Sequence, residues 1–112
     1  MELVNLTPHP IVVYTEDGVR AVLEPSGVVA RMDTVPKATV DQEFEGVGTV
    51  PVVALTYDTV KGLPNPAPGR YYIVSAVVAD QVKRPDLLVP HPLVRDDNGN
   101  VIGCRGFRTP TK

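Results

Sequence analysis

The side chains best suited to chemistry are one serine, one cysteine, two histidines and a few arginines, and Ser75 has the most informative setting. The run Tyr71 to Ser75 reads as a strand, and a helix-compatible segment, 76–83, follows it directly. A strand that turns straight into a helix aims free backbone N–H groups, here those of Ala76 and Val77, at whatever lies beyond the serine. Arg84, Arg95 and Arg105 are the side chains expected to complete a cage for a compact anion there. The same strand-to-helix position holds the nucleophile of α/β-hydrolases, but the turn there is G-x-S-x-G. Here it is Ile73-Val74-Ser75-Ala76-Val77, and bulky neighbours in place of both glycines forbid the strained elbow. A helix cap is the plainest role for Ser75, anion contact the next, and nucleophilic catalysis the least favoured.

Cys104 alternates with Ile102 in the last strand, so the two are expected to share the core-facing side of the sheet, where a cysteine is ordinarily inert. A pairing of Cys104 with His9 or His91 lacks an identifiable third group. His9, His91, Cys104 and Asp86 have no close ligand spacing of the C-x-x-C or H-x-x-x-H kind, so neither a metal nor another cofactor is expected. The neighbours Arg84 and Asp86, and Arg95 and Asp96, read as surface ion pairs or turn hydrogen bonds.

The elements that must position these residues are short. Ile11 to Tyr14 and Val19 to Leu23 flank an Asp-Gly turn as a first hairpin, and Val28 to Met32 reads as a third strand of a meander. From Asp33 to Gly48 the pattern weakens; Thr39 to Phe44 suits an edge strand before a mobile turn at Glu45, Gly46 and Gly48. Val50 to Thr56 reads as a buried strand entered through Pro51. The stretch Lys61 to Gly69, with three prolines and two glycines, is an extended surface connection. Pro85 ends the helix after two to three turns, with Val78, Ala79 and Val82 as its apolar stripe. Leu87 to Val89 and a final Asn-Gly hairpin, Leu93 to Arg95 and Asn100 to Phe107, close the chain. Each of the two Pro-His-Pro segments precedes one of the hairpins.

At 112 residues with twelve prolines and nine glycines, the chain suits a single domain, 1–112. The fold class expected is α+β, mainly β: a small curved sheet or barrel-like domain of six to eight short strands with one helix. A net charge of −2 with scattered basic residues argues against an extended nucleic-acid partner. A single cysteine excludes an internal disulfide, and no apolar run approaches the ~20 residues of a membrane span. The setting expected is cytoplasmic.

The segments NLTPHPIVV, LPNPAPGRYYIVSAVVA and RPDLLVPHPLVRDDNGNVIGC resemble a group of small proteins encoded by bacteriophages and by actinobacterial genomes with prophage-like material. The resemblance implies an accessory product of a phage or prophage and no particular activity. Two non-enzymatic functions follow as expectations. One is a binding protein that sequesters a phosphorylated or nucleotide-like small anion of the host; the other is a protein–protein interaction module, a host-enzyme inhibitor or assembly factor, with a homo-oligomer admitted by either. A hydrolase built on Ser75 or Cys104 ranks third.

Overall fold

The helix and its two flanking strands supply most of the buried core cluster. In the computed structural model, which describes residues 1–18 and 20–112, β6 (Arg70–Ile73) leads through Val74 to the helix α1 (Ala76–Val82). Lys83 stops the helix in the left-handed conformation, φ 58°, with its N–H on the Ala79 carbonyl at 2.8 Å. Pro85 makes continuation unfavourable, and β7 (Leu87–Pro90) follows, parallel to β6, with Tyr72 opposite Leu87. A parallel neighbour cannot be reached by a tight turn, so the helix serves as the crossover.

β1 (Glu2–Asn5) lies parallel to β6 on its other side, and β10 (Phe107–Arg108) adds antiparallel to β7, giving the order β1-β6-β7-β10. The buried cluster lies against this sheet: Tyr72, Leu87 and Val89 from the strands, Val78 and Ala79 from the helix, Val74, Leu6 and Ala30 from connections. Burial of a side chain such as Leu6 or Leu87 contributes on the order of 2 kcal/mol each.

The second sheet has the order β3-β2-β9-β8, built from β2 (Ile11–Tyr14), β3 (Arg20–Leu23), β8 (Leu93–Arg95) and β9 (Val101–Cys104). Both expected hairpins are present, although Val19 at the start of the second expected strand lies outside the described residues, and the last expected strand, Asn100 to Phe107, ends at Cys104, with Phe107 in β10 of the first sheet instead. They are joined by a parallel pairing of Val13 with Cys104. Gly103 makes that approach possible, because a Cβ there would stand 2.7 Å from the Val12 carbonyl oxygen and from the Tyr14 ring. Ile102 differs from expectation. The β8–β9 register passes from Gly103 to Val101, so Ile102 is the extra residue of a bulge and stands 43% exposed, while Cys104 is fully buried.

The α+β, mainly β architecture is as expected, but among the described residues ten strands replace the six to eight, and the sheets they form are separate and close into no barrel. The largest difference lies between residues 28 and 61. Val28 to Ala30 is not a strand: Ala30 is buried in the core, its N–H bonded to the Leu6 carbonyl at 3.0 Å. The strand begins only at Arg31 and runs to Phe44 as β4, and β5 (Gly48–Lys61) returns antiparallel to it. Val50 to Thr56 is thus not a buried strand but part of a 14-residue strand that is exposed for nearly its whole length.

The reason is topological. Among the described residues β4 and β5 pair only with each other, so neither gains a sheet neighbour to cover it. The expected turn is present, with Gly46 at φ 80° and Val47 N–H on the Phe44 carbonyl at 3.1 Å. At the base, Met32 and Val60 pack against the core and Lys61 pairs with Asp33 at 2.6 Å. The radius of gyration, 18.1 Å, reflects this protrusion; a compact chain of this length has about 13 Å.

Candidate functional site

Ser75 is the N-cap of α1: its backbone is extended, φ −67° and ψ 159°, and its Oγ accepts the Val78 N–H at 3.3 Å. That bond is what the sequence demanded of the position. Ser75, Ala76 and Val77 are all exposed, and among the described residues no histidine hydrogen-bonds the serine. The helix is seven residues long with no acidic residue in its first turn.

Of the three arginines, Arg84 is committed elsewhere. Its Nε and Nη2 form a fork to the Asp86 carboxylate, its Nη1 donates to the Pro64 carbonyl at 2.9 Å, and its guanidinium lies 5.9 Å from the centre of the Tyr72 ring. Tyr72 in turn donates its hydroxyl to the Asn65 carbonyl at 3.3 Å. Arg84 thereby clips the proline-rich connection onto the sheet. The Arg84 hydrogen bonds hold the Asp86 carboxyl below its usual range, with burial opposing. Arg95 belongs to the other sheet, at the end of β8, where its Nη1 donates to the Gly99 carbonyl at 2.9 Å within its own hairpin. Arg105 is exposed beyond β9, its backbone N–H bonded to the Pro92 carbonyl at 3.0 Å. Ser75 and Arg95 therefore lie on elements of different sheets, and Arg84 already has an anion in Asp86.

The remaining candidates are held structurally too. Burial pushes the Cys104 thiol up, against a smaller opposite pull from the Gly106 backbone, which keeps it protonated. The His9 carbonyl accepts the Asn5 Nδ2 at 2.8 Å and the His91 N–H donates to the Gly106 carbonyl at 2.8 Å. Among the described residues no three His, Cys, Asp or Glu side chains are placed to hold a metal ion, and no helix is long and apolar enough to cross a membrane. Arg95 and Asp96 do not pair with each other. Asp96 Oδ1 instead accepts the Asn98 and Asn100 N–H groups at 2.9 Å each and shapes the turn.

The feature that sequence reading missed is the β4–β5 hairpin. Residues paired across a ladder share a face. Val40 pairs with Val52 and Ala38 with Ala54, and Val35 and Phe44 fall on the same side. None of the paired residues of that face from Val35 to Phe44 is charged, although Asp58 alternates with Val52, Ala54 and Thr56 below them and Lys37 stands unpaired at a bulge beside Ala38; Val35, Val40, Phe44 and Val52 are 39–63% exposed. The opposite face presents Val53, Leu55 and Tyr57, with Asp41 and Glu43 toward the tip. An isolated two-stranded ribbon is marginal in water, and this one carries exposed apolar side chains on both its sides. The signal available in the sequence was the density of valine on both sides of Glu45 to Gly48; it was read as burial within the chain.

No family model matches the chain, and neither does any curated protein or solved structure.

Proposed function

We infer that the chain is an interaction protein whose working part is the β4–β5 hairpin, an arm that carries apolar side chains outward from a small packed body. The observation that supports this most directly is the exposure of Val40, Val52, Val53, Leu55 and Tyr57 on two strands that no other strand accompanies. Nothing in the body needs that surface. The core cluster ends at Met32 and Val60, and the remaining length of the arm makes no contribution to it. The accessory role in a phage or prophage, in a cytoplasmic setting, is part of the same proposal and rests on the resemblance of the NLTPH, YIVS and VRDDNGNVIGC segments.

Sequestration of a small phosphorylated ligand is the less favoured reading, because Ser75 is occupied as a cap and Arg84 by Asp86. Native mass spectrometry of protein purified gently from its host distinguishes the two. With an interaction arm, the chain is found in a protein assembly that Val40→Asp disperses. A free monomer with a bound phosphorylated compound overturns the proposal in favour of sequestration. In that case the compound at a hundredfold excess over its dissociation constant adds about 2.7 kcal/mol of stability.

A further inference from the structure

The net charge of the molecule lies on the arm. Residues 31–61 hold three cations and five acids, while the rest of the chain holds eight of each, so the whole net charge of −2 belongs to the hairpin. The charge is also sorted along the ribbon. Lys61 is paired with Asp33 at the base, and Arg31 and Lys37 are the other two cations. From Ala38 round the tip to Val60 every charged residue is acidic: Asp41, Glu43, Glu45 and Asp58. Among the described residues none of these four is in an ion pair, whereas Arg70, Arg84 and Arg108 of the body each meet a carboxylate, that of Glu2, Asp86 and Asp80 respectively.

Apolar side chains accompany these acids on both sides of the ribbon. Asp41 and Glu43 share a face with Val53, Leu55 and Tyr57, while on the other face Asp58 lies below Ala54, Val52 and Val40. An acidic surface repels the phosphates of nucleic acid and of anionic lipid. A second copy of the chain offers it no surplus of positive charge, because its own net charge is negative and its body is neutral. Building on the reading of the hairpin as an interaction arm, we propose that the arm inserts into a basic cleft of a different protein, its two apolar faces against the walls and Asp41, Glu43 and Glu45 against lysines or arginines at the far end. Charge of this kind steers the encounter and selects the partner, while the apolar faces hold it.

The area favours a cleft over a flat surface. The ladder from Thr34 to Phe44, at about 3.3 Å per residue and about 10 Å across, offers roughly 350 Å² on each face. One face alone gives less than half of the ~800 Å² that each partner contributes to a standard interface, and the two together come close to it. Both faces are open to such a grip, since Val35, Val40, Phe44 and Val52 on one and Val53, Leu55 and Tyr57 on the other are 39–63% exposed. The edges are less suited to a partner. Pro36 in β4 and Pro51 in β5 each lack a backbone donor, which disfavours the addition of a further strand.

The test exposes the immobilised full chain to clarified host lysate. The expected result is a retained protein that is released when sodium chloride is raised from about 0.1 M to about 1 M, which shortens electrostatic screening from about 10 Å to about 3 Å. A zero-length carbodiimide is expected to join lysines of that protein to Asp41, Glu43 or Glu45. Retention is expected to be lost with the triple variant Asp41→Asn, Glu43→Gln, Glu45→Gln. It is also expected to be lost with either Val40→Asp or Val53→Asp, one on each face at positions 63% and 46% exposed. These two add negative charge, so their effect separates the apolar contacts from the electrostatic ones. All the variants are expected to melt as the wild type does, since none of these residues belongs to the core cluster. Retention by the neutralised variant overturns the basic cleft, and loss with only one of the two valine variants overturns enclosure of both faces. Binding to duplex DNA or to phosphatidylserine vesicles, or self-association of the purified chain in sedimentation, overturns the class of partner. If the wild type retains no protein at about 0.1 M salt, the proposal falls. A host assembly that survives neutralisation of the acids leaves the interaction arm standing with a partner of other chemistry; if the host material is itself a free monomer, that reading falls as well.

Discussion

Asn5 is the buried polar side chain on which the NLTPH segment turns, and it is 3% exposed. Its Nδ2 donates to the His9 carbonyl at 2.8 Å and to the Leu23 carbonyl at 3.0 Å, and its Oδ1 accepts the Thr7 N–H at 2.9 Å. One amide thus ties β1 to the bend that leads into β2 and to the end of β3. Truncating it removes three part-buried hydrogen bonds, to the His9 and Leu23 carbonyls and from the Thr7 N–H, each typically worth about 0.5–1.5 kcal/mol. Asn5→Ala is therefore expected to destabilise the protein by about 3 kcal/mol in urea unfolding, and Asn5→Asp, which keeps the acceptor but loses both donations, by a similar amount; a loss below about 1 kcal/mol contradicts this account. Asp80 makes a pH-dependent counterpart. The Arg108 guanidinium and then the Thr111 N–H hold its carboxyl down to about 2 from an ordinary 3.8. A carboxylate whose pKa is lowered by folding stabilises the folded state above its unfolded value, and the contribution fades as pH falls through the folded one. Docking of the C-terminal residues onto α1 is thus expected to hold above about pH 4 and to be lost toward pH 2. Asp80→Asn should flatten that part of the curve of melting temperature against pH.

The elements divide into those whose local chemistry suffices to define them and those defined by a distant partner. Ser75, the apolar stripe of Val78, Ala79 and Val82, and Pro85 determine the helix locally, and it was legible to within a residue. Asp17-Gly18 and Asn98-Gly99 likewise set the two hairpin turns, with Gly18 at φ 76° and Gly99 at φ 83°. Pairing was not legible. That β1 and β7 both lie parallel to β6, each then passing through a Pro-His-Pro bend into a hairpin of the other sheet, depends on tertiary pairing, across the span from Glu2 to Arg70 for β1 and across the helix from Tyr72 to Leu87 for β7. The candidate site fared the same way: the cap was readable at Ser75, while the separation of Arg95 from it required knowing which sheet β8 joins. The junction between the two hairpins is testable at Gly103. With a Cβ meeting backbone at 2.7 Å, Gly103→Ala must push β9 away from β2. This is expected to cost about 2 kcal/mol and to speed the labelling of Cys104 by a thiol reagent, which in the native wild type is slow because the side chain is buried. Unchanged labelling would mean that the strands part without opening the core.

At the scale of the whole molecule, the chain combines a body that satisfies itself with an arm that does not. The long valine-rich strands misled sequence reading because burial and partner-seeking draw on the same composition: a β-branched run suits any covered sheet, and the cover need not come from the same chain. The division predicts that the arm is dispensable for folding. Its ladder beyond Thr34 and Tyr57 adds no residue to the core cluster, whereas Met32, Val60 and Leu63 pack against it, and Gly62 must stay because a Cβ there would lie 2.3 Å from the Val29 carbonyl oxygen. Replacing residues 34–58 by Asn-Gly keeps the Met32–Val60 pair and the exit through Gly62 and closes the ribbon with a two-residue hairpin turn. Such a chain is expected to unfold cooperatively in urea and to keep Cys104 shielded from thiol reagents. Loss of cooperative unfolding would show that the arm is part of the folding unit. Its exposed valines would then stabilise the body in some way that their lack of contact with the core does not explain, and assembly could not be separated from folding by any change in the arm.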